Sequence, residues 1–193
     1  MSTKKSSGLL QKAIDQANMV SNRLNMLNRL PDTAEEVLSV GQSLKADTQQ
    51  DVFLGPKASE QTVRSLDLSN RRVVYFATHA LVPGDIDGLH EPALALSTPE
   101  VAGGDEDGLL TAGEIMTLKL NADWVILSAC NTAAAGEGAE AISGLGRAFF
   151  YAGTRALLVS QWPVETSSAR ELTTRLFEAQ SAAPEVAAVG MDM

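Results

Sequence analysis

Residues Trp124–Thr132 read W-V-I-L-S-A-C-N-T, a short apolar run that ends in the chain's single cysteine, Cys130. An earlier run, Arg71–Ala80, reads R-R-V-V-Y-F-A-T-H-A and ends in the same way at His79. Each run has the length and continuous apolar character of a strand buried on both faces of a parallel sheet. Two such strands each release one reactive side chain at the carboxyl edge, which is the geometry of a cysteine–histidine site.

The chain's size and composition fit one globular domain. Its 193 residues are enough to bury roughly 70% of the unfolded surface, and 45% of them are hydrophobic. The net charge of -9 argues against nucleic-acid binding, which needs clustered lysine and arginine. That charge favours solubility and basic or neutral peptide partners.

The cysteine count and the hydropathy pattern bear on localisation. One cysteine cannot form an intramolecular disulfide, so a reducing compartment is expected. No run approaches the length of about 18 apolar residues that spans a bilayer. Gln11, Lys12 and Asp15 interrupt any secretory signal near the start. We therefore expect a cytoplasmic protein without membrane contact.

Hydrophobic periodicity predicts strands alternating with helices. In chain order we expect helix 9–30, helix 33–41, strand 50–55, helix 57–66, strand 73–78, helix 111–118, strand 124–129, helix 138–152, strand 155–160 and helix 166–179. Capping-box patterns support two helix starts, at Thr33 with Glu36 and at Thr111 with Glu114. Residues 79–108 are predicted as loop with one short strand at 93–97, and the last dozen residues receive no element.

This order predicts an α/β domain with a mostly parallel sheet covered on both faces. In such sheets ligands gather at the carboxyl ends of strands. His79, Cys130 and the S-Q-W-P segment at 160–163 all lie at predicted strand ends. Their shared position makes this edge of the sheet the expected functional site.

Each side chain also has an ordinary structural interpretation. A single cysteine at a strand end is usually a small buried hydrophobe, and a histidine there is often part of the core. The chemical interpretation depends on the pair, because a free thiol of pKa about 8.5 needs an imidazole to become a thiolate near neutrality. The backbone N–H groups of Ala80 and Cys130 are the expected oxyanion donors.

Five ordered motifs resemble those of the CHAT domain, a caspase-like domain often attached to tetratricopeptide repeats in bacteria. The motifs are F-A-T-H-A, G-L-H-E-P-A-L-A-L, D-G-L-L-T-A-G-E-I, L-N-A-D-W-V-I-L-S-A-C-N-T and G-L-G-R-A-F-F-Y-A-G-T-R-A-L-L-V-S-Q-W-P-V. The resemblance covers about residues 50–180. It implies a three-layer caspase-like sandwich, related to the clan CD cysteine peptidases.

Carried onto this chain, the resemblance makes Cys130 the nucleophile and His79 its general base or electrostatic partner. It divides the chain into a helical extension, residues 1–30, and a caspase-like domain, residues 31–193, that lacks its first strand and last helix. The implied partners are a protein or peptide substrate and tetratricopeptide-repeat segments or regulatory proteins. No cofactor or metal is implied.

Besides these incomplete ends, the chain departs from the family pattern at two further places. Many members have glycine after the histidine, where this chain has Ala80. Related peptidases carry an acid after the W-x-V segment, and Glu165 is the nearest acid here. We expect Ser128, Trp162 and Glu165 to line the substrate pocket.

Two hypotheses about function follow, and the sequence evidence for other types of site is weak. The first is a cysteine endopeptidase, and the alternative is a catalytically silent regulatory or protein-interaction module of the same fold. G-E-G-A-E-A at 136–141 fits only a loose dinucleotide-binding pattern without its ribose-binding acid. The acid-rich turns miss the calcium-loop spacing, and His90 has no second ligand at zinc spacing.

Overall fold

The computed structural model describes residues 19–27, 30, 32–128, 138–160, 171 and 186–190. Residues 19–24 are helical. The named helices are α1 (Asp32–Ser43), α2 (Glu60–Ser65), α3 (Pro99–Ala102), α4 (Ala112–Ile115) and α5 (Gly138–Ala152). The strands are β1 (Val52–Leu54), β2 (Val73–Ala77), β3 (Ala80–Leu81), β4 (Ala93–Ala95), β5 (Leu109–Thr111), β6 (Trp124–Ser128), β7 (Ala156–Ser160) and β8 (Val186–Gly190), and 3-10 turns occupy Gly55–Lys57 and Leu68–Asn70.

Five strands form a sheet in the order β1-β8-β2-β6-β7, and every neighbouring pair is parallel. Because all neighbouring strands run in the same direction, their carboxyl ends lie at one edge of the sheet. Crossover connections return the chain to the opposite edge between strands. That common edge is where the sequence places His79.

Hydrophobic cores cover both faces of this sheet, which gives the three-layer α/β arrangement. On one face Val37 and Val40 of α1 pack with Val73, Tyr75 and Ile126. The other face packs against α2, α4 and α5 through the larger cluster, which includes Val74, Phe76, Val125, Leu127 and Phe149. Successive side chains along each strand point to opposite faces of the sheet, so they are divided between the two hydrophobic clusters.

The second sheet is small and antiparallel, in the order β3-β4-β5. One of its faces joins the larger core through Ala80, Leu94 and Leu110. The other face is covered by Val20 and Leu24. The helical segment at residues 19–24 therefore forms part of the packed structure around the small sheet.

The α/β class, the sheet covered on both faces and most predicted elements are confirmed. The loop prediction for 79–108 is wrong in part, because β3, β5 and α3 lie in this stretch as well as the expected strand β4. The strand β8 also has no counterpart in the prediction. Three of these four elements have only two to four residues, which is too short for a periodic signal.

One helix-end prediction is also confirmed. Thr111 caps α4, its side chain accepts from the Glu114 N–H, and the Glu114 side chain accepts from the Thr111 N–H, so the capping box is complete. Gly153 ends α5 with φ 117, and a Cβ there would lie 2.3 Å from the Leu120 carbonyl oxygen. Only glycine fits both constraints.

None of the helices in the described part of the chain has the length and hydropathy needed to cross a lipid bilayer.

Candidate active site at the sheet edge

The two strands that lead to the expected site are adjacent and in register. Ala77 of β2 pairs with Ser128 of β6 as the last of five registered pairs. Just beyond, the Thr78 N–H donates to the Ser128 carbonyl at 3.2 Å. β2 therefore reaches the carboxyl edge with its backbone held to β6, and His79 is the next residue.

The small sheet holds His79 from its other side. The Ala95 N–H donates to the His79 carbonyl at 2.9 Å, and the Thr78 hydroxyl donates to the Ala95 carbonyl. His79 is 1% exposed. Its backbone is thus fixed between β6 and β4, at the point where the chain passes from one sheet to the other.

The N–H of Ala80 points away from the neighbouring strand. Opposed residues in an antiparallel pair alternate between hydrogen-bonded and non-hydrogen-bonded pairs. Because Ala95 donates to His79, the next pair, Ala80 with Leu94, is of the second kind. Ala80 was expected in a loop and lies in β3, yet its N–H is still directed away from β4, as an oxyanion donor requires.

Three of the predicted site residues, Cys130, Trp162 and Glu165, lie outside the described residues. Ser128 is described: it ends β6, is partly exposed, and pairs with Ala77 on one side and Ser160 on the other.

A buried hydrogen bond joins β2 to α1 on the face of the sheet that Ser128 shares. The Tyr75 hydroxyl donates to the Glu36 carboxylate of α1. Tyr75 and Glu36 are 1% and 5% exposed. Burial raises the pKa of Tyr75, and the charge of Glu36 and its hydrogen bond raise it further. The tyrosine is therefore a neutral donor at all physiological pH values.

Sequence reasoning missed this hydrogen bond because it gave Glu36 another role. The predicted capping box at Thr33 and Glu36 is wrong: the Thr33 hydroxyl donates to the Leu30 carbonyl at 2.7 Å, and Glu36 accepts from Tyr75. Glu36 and Tyr75 are 39 residues apart in the chain, so no local pattern could have linked them.

Other motif residues build the frame around the site. A Glu91 carboxylate oxygen accepts from the Gly113 N–H at 2.8 Å, at the start of α4. A Cβ on Gly144 of α5 would lie 2.8 Å from the Pro92 ring. The segment between β3 and β4 is thus packed against α4 and α5 by two residues of the H-E-P motif.

A second buried carboxylate, Glu60, lies at the start of α2 in an acidic cluster. Arg64 contacts Glu60 at 3.2 Å, Glu106 at 3.5 Å and Glu114 at 3.6 Å. Burial, followed by the neighbouring Glu114 and Glu106, raises the pKa of Glu60 to about 8. Burial also raises the pKa of Asp107. Glu60 therefore carries its proton through most of the neutral range.

Two aspartates of the acid-rich turns accept hydrogen bonds from backbone N–H groups within those turns. Asp85 accepts from the Val82 N–H at 2.8 Å and Asp107 from the Leu109 N–H at 2.9 Å. Within the described ranges no group of three or more His, Cys, Asp or Glu side chains could hold a metal ion.

Comparison with known families gives one match. The family model described as the CHAT domain matches residues 2–190, which is nearly the whole chain. Comparisons with curated proteins and with solved structures find no match.

Proposed function

The chain belongs to the CHAT-domain family, whose fold is caspase-like, and from that premise we propose that it is a cysteine endopeptidase domain. In this proposal Cys130 is the nucleophile and His79 its partner. The substrate is a peptide bond of another protein.

The observation that carries the proposal is the register of β2 and β6. Ala77 and Ser128 form the last registered pair, and His79 and Cys130 each follow that pair by two residues. Neighbouring parallel strands lie about 4.8 Å apart. Side chains that leave equivalent positions on such strands start within reach of a hydrogen bond.

The chemistry then follows from the residue types. The Cys130 thiol passes its proton to His79, and the thiolate attacks the peptide carbonyl carbon. As the C–S bond forms, the carbonyl electron pair moves to oxygen, where the N–H groups of Ala80 and Cys130 donate. The imidazolium returns the proton to the leaving amine as the C–N bond breaks, and water hydrolyses the acyl-enzyme.

Partners and compartment complete the proposal. The net charge of -9 suits a basic or neutral peptide substrate. Tetratricopeptide-repeat segments or regulatory proteins would bring that substrate to the domain, with Trp162 and Glu165 beside Ser128 at its binding pocket. A cytoplasmic setting would keep the nucleophilic thiol reduced.

The test is alkylation of Cys130 by iodoacetamide, which reports on this residue alone because the chain has one cysteine. The dyad predicts that His79→Ala slows labelling at pH 7 by about tenfold, which is the change expected when the thiol pKa rises by one unit. His90→Ala is the matched control, since His90 is exposed. Equal rates for His79→Ala and the unchanged chain would rule out the dyad.

The burial of His79 favours a second candidate function, a protein-interaction module without turnover. A histidine that is 1% exposed cannot meet a substrate until the residues covering it move. In that case partner binding would survive Cys130→Ser, and no peptide bond would be cut. Cleavage that Cys130→Ser abolishes would reject the module and support the peptidase.

A further inference from the structure

The outer face of the small antiparallel sheet is covered by a segment that is distant from it in the chain. Val20 and Leu24 are four positions apart on the helix at residues 19–24, so they share a face, and they are 5% and 0% exposed. We call residues 19–27 the strap. Its two buried side chains share a hydrophobic cluster with residues of the sheet and its loops: Leu81, Ile86, Leu89, Ala93, Ala95 and Leu109.

Polar side chains add to the contact between the strap and this region. The Ser21 side chain, in a residue that is 1% exposed, donates from its hydroxyl to the Glu100 carboxylate. Arg23 forms an ion pair with Asp87 at 3.5 Å, but both side chains are exposed and such pairs contribute little. The strap is therefore held mainly by two aliphatic side chains and one buried hydroxyl.

The small sheet depends on this cover because its strands are very short. They have two or three residues each, and strands of this length are stable only when their apolar faces are packed against other elements. The main core covers the inner face, and the strap covers the outer face. The packing is close, since a Cβ on Gly108 would lie 3.1 Å from the Cδ1 atom of Leu24.

The strap is linked to His79 through β4. Ala95 of β4 packs in the cluster that Leu24 completes. The Ala95 N–H donates to the His79 carbonyl at 2.9 Å, and the Ala95 carbonyl accepts from the Thr78 hydroxyl. Ala80, whose N–H is the proposed oxyanion donor, lies in β3, which pairs with β4. The backbone on the histidine side of the proposed site is thus built on strands that the strap covers.

We propose that the strap controls the histidine side of the proposed site. When it is docked, it fixes the backbone of His79 and Ala80; when it is released, the small sheet opens and His79 leaves its position. The inference rests on the proposed function. A helix of six residues does not persist without its packing partner, so release of the strap is a local unfolding step that leaves the five-stranded sheet folded.

Hydrogen exchange of the Ala95 amide tests this coupling, because that N–H bonds the His79 carbonyl directly. Leu24→Ala removes a contact that exists only while the strap is docked, so it favours the open state. Exchange of the Ala95 amide should accelerate about 30-fold or more, the factor that corresponds to the smaller losses seen for buried leucines.

Leu44→Ala is the matched control for this measurement. Leu44 is 1% exposed and packs on the α1 face of the central sheet, so its contacts persist when only the small sheet opens. Exchange of the Ala95 amide should stay within about twofold of the unchanged chain. Equal acceleration by Leu24→Ala and Leu44→Ala would mean that the small sheet opens only with the whole domain, and would overturn the inference.

Two further measurements support this comparison. Urea unfolding of the two leucine variants should show similar losses of global stability, so that any difference at the Ala95 amide is local. Val20→Ala makes a smaller cavity and replaces Leu24→Ala where that variant does not fold. It should accelerate exchange of the Ala95 amide by roughly fivefold or more.

Full release of the strap tests its effect on the site. Leu24→Asp puts a carboxylate at a fully buried position, which undocks the strap, and Asn22→Asp adds the same charge on the exposed side of the helix. Alkylation of Cys130 at pH 7 should slow roughly tenfold in Leu24→Asp, as in His79→Ala, and should not change in Asn22→Asp. In the His79→Ala background Leu24→Asp should slow alkylation no further.

The outcomes separate the inference from the dyad. If His79→Ala slows alkylation and Leu24→Asp leaves it unchanged or accelerates it, the inference is overturned while the dyad stands. If His79→Ala has no effect, the dyad fails, and the exchange comparison at Ala95 alone decides whether the strap fixes the His79 backbone. The same comparison decides the case in which Leu24→Asp does not fold.

Discussion

The two faces of the central sheet differ in what they bury. Against α2, α4 and α5 the packed side chains of β2 and β6 are apolar, with Phe76 and Phe149 at ring-centroid distance 5.7 Å. Against α1 the other face buries a hydrogen-bonded polar pair, Tyr75 of β2 and Glu36 of α1. The difference is that one face is packed by apolar side chains alone, whereas the other also depends on a buried hydrogen bond whose two partners must both be present.

The largest stability effect should come from breaking the apolar face. Phe149→Ala removes a fully buried ring (0% exposed) and should lower the free energy of unfolding by about 3–5 kcal/mol. Denaturant unfolding measures the change. Phe150→Ala is the matched control, because the neighbouring ring on the same helix is 52% exposed. A similar loss of unfolding free energy in both variants would contradict the conclusion that the buried ring of Phe149 stabilises this apolar face.

The next effect concerns the acidic cluster on the α2 and α4 side. The pKa of Glu60 is raised from 4.5 to about 8, so folding favours its protonated form. The protonated Glu60 side chain makes its full contribution to the free energy of unfolding below about pH 4.5. This contribution is lost as the pH rises through 8, by up to about 1.4 kcal/mol per pH unit.

Glu60→Gln stays neutral and should remove that loss. Its stability relative to the unchanged chain should therefore increase between pH 5 and 8, as measured by urea unfolding at several pH values. Glu35→Gln, an exposed glutamate on α1, is the control. A pH-independent difference for Glu60→Gln would show that Glu60 is already ionised throughout this window.

A smaller effect should follow from the cap of α4. Thr111→Ala removes the acceptor of the Glu114 N–H and should cost about 1 kcal/mol in thermal or urea unfolding. Thr117→Ala at the exposed far end should cost less. The reverse order would mean that the capping box does not hold this short helix.

The smallest stability effect should come from Ser128→Ala on the polar face. Ser128 is partly exposed, so we expect a change below about 1 kcal/mol in unfolding. A stability loss larger than that of Thr111→Ala would contradict the peripheral position of Ser128 at the end of β6.

Long patterns made most of the fold predictable. The apolar runs at 73–78 and 124–129, and the helix leading to Gly153, carry enough residues for their period to be read. The short strands β3 and β5 have too few residues for a period to be read. The alanine-rich segment β8 forms a strand because it is inserted between β1 and β2. Such pairing is a tertiary effect, which no local pattern specifies.

The same limit applies to the site. His79 could be placed at a strand end because its strand is long and apolar, whereas Glu36 matched a helix-cap pattern that its tertiary contact with Tyr75 overrides. The raised pKa of Glu60 likewise depends on its burial and on Glu114 and Glu106, which are distant in the chain. Contacts of this kind arise only once the sheet and helices are assembled.

The proposed contact between Cys130 and His79 can be tested most directly by NMR of the two histidine rings. The chain contains only His79 and His90, so each ring resonance can be assigned by one substitution. Carbamidomethylation of Cys130 should shift the His79 ring resonances and leave those of His90 unchanged. Identical His79 spectra before and after complete modification would contradict the proposed dyad.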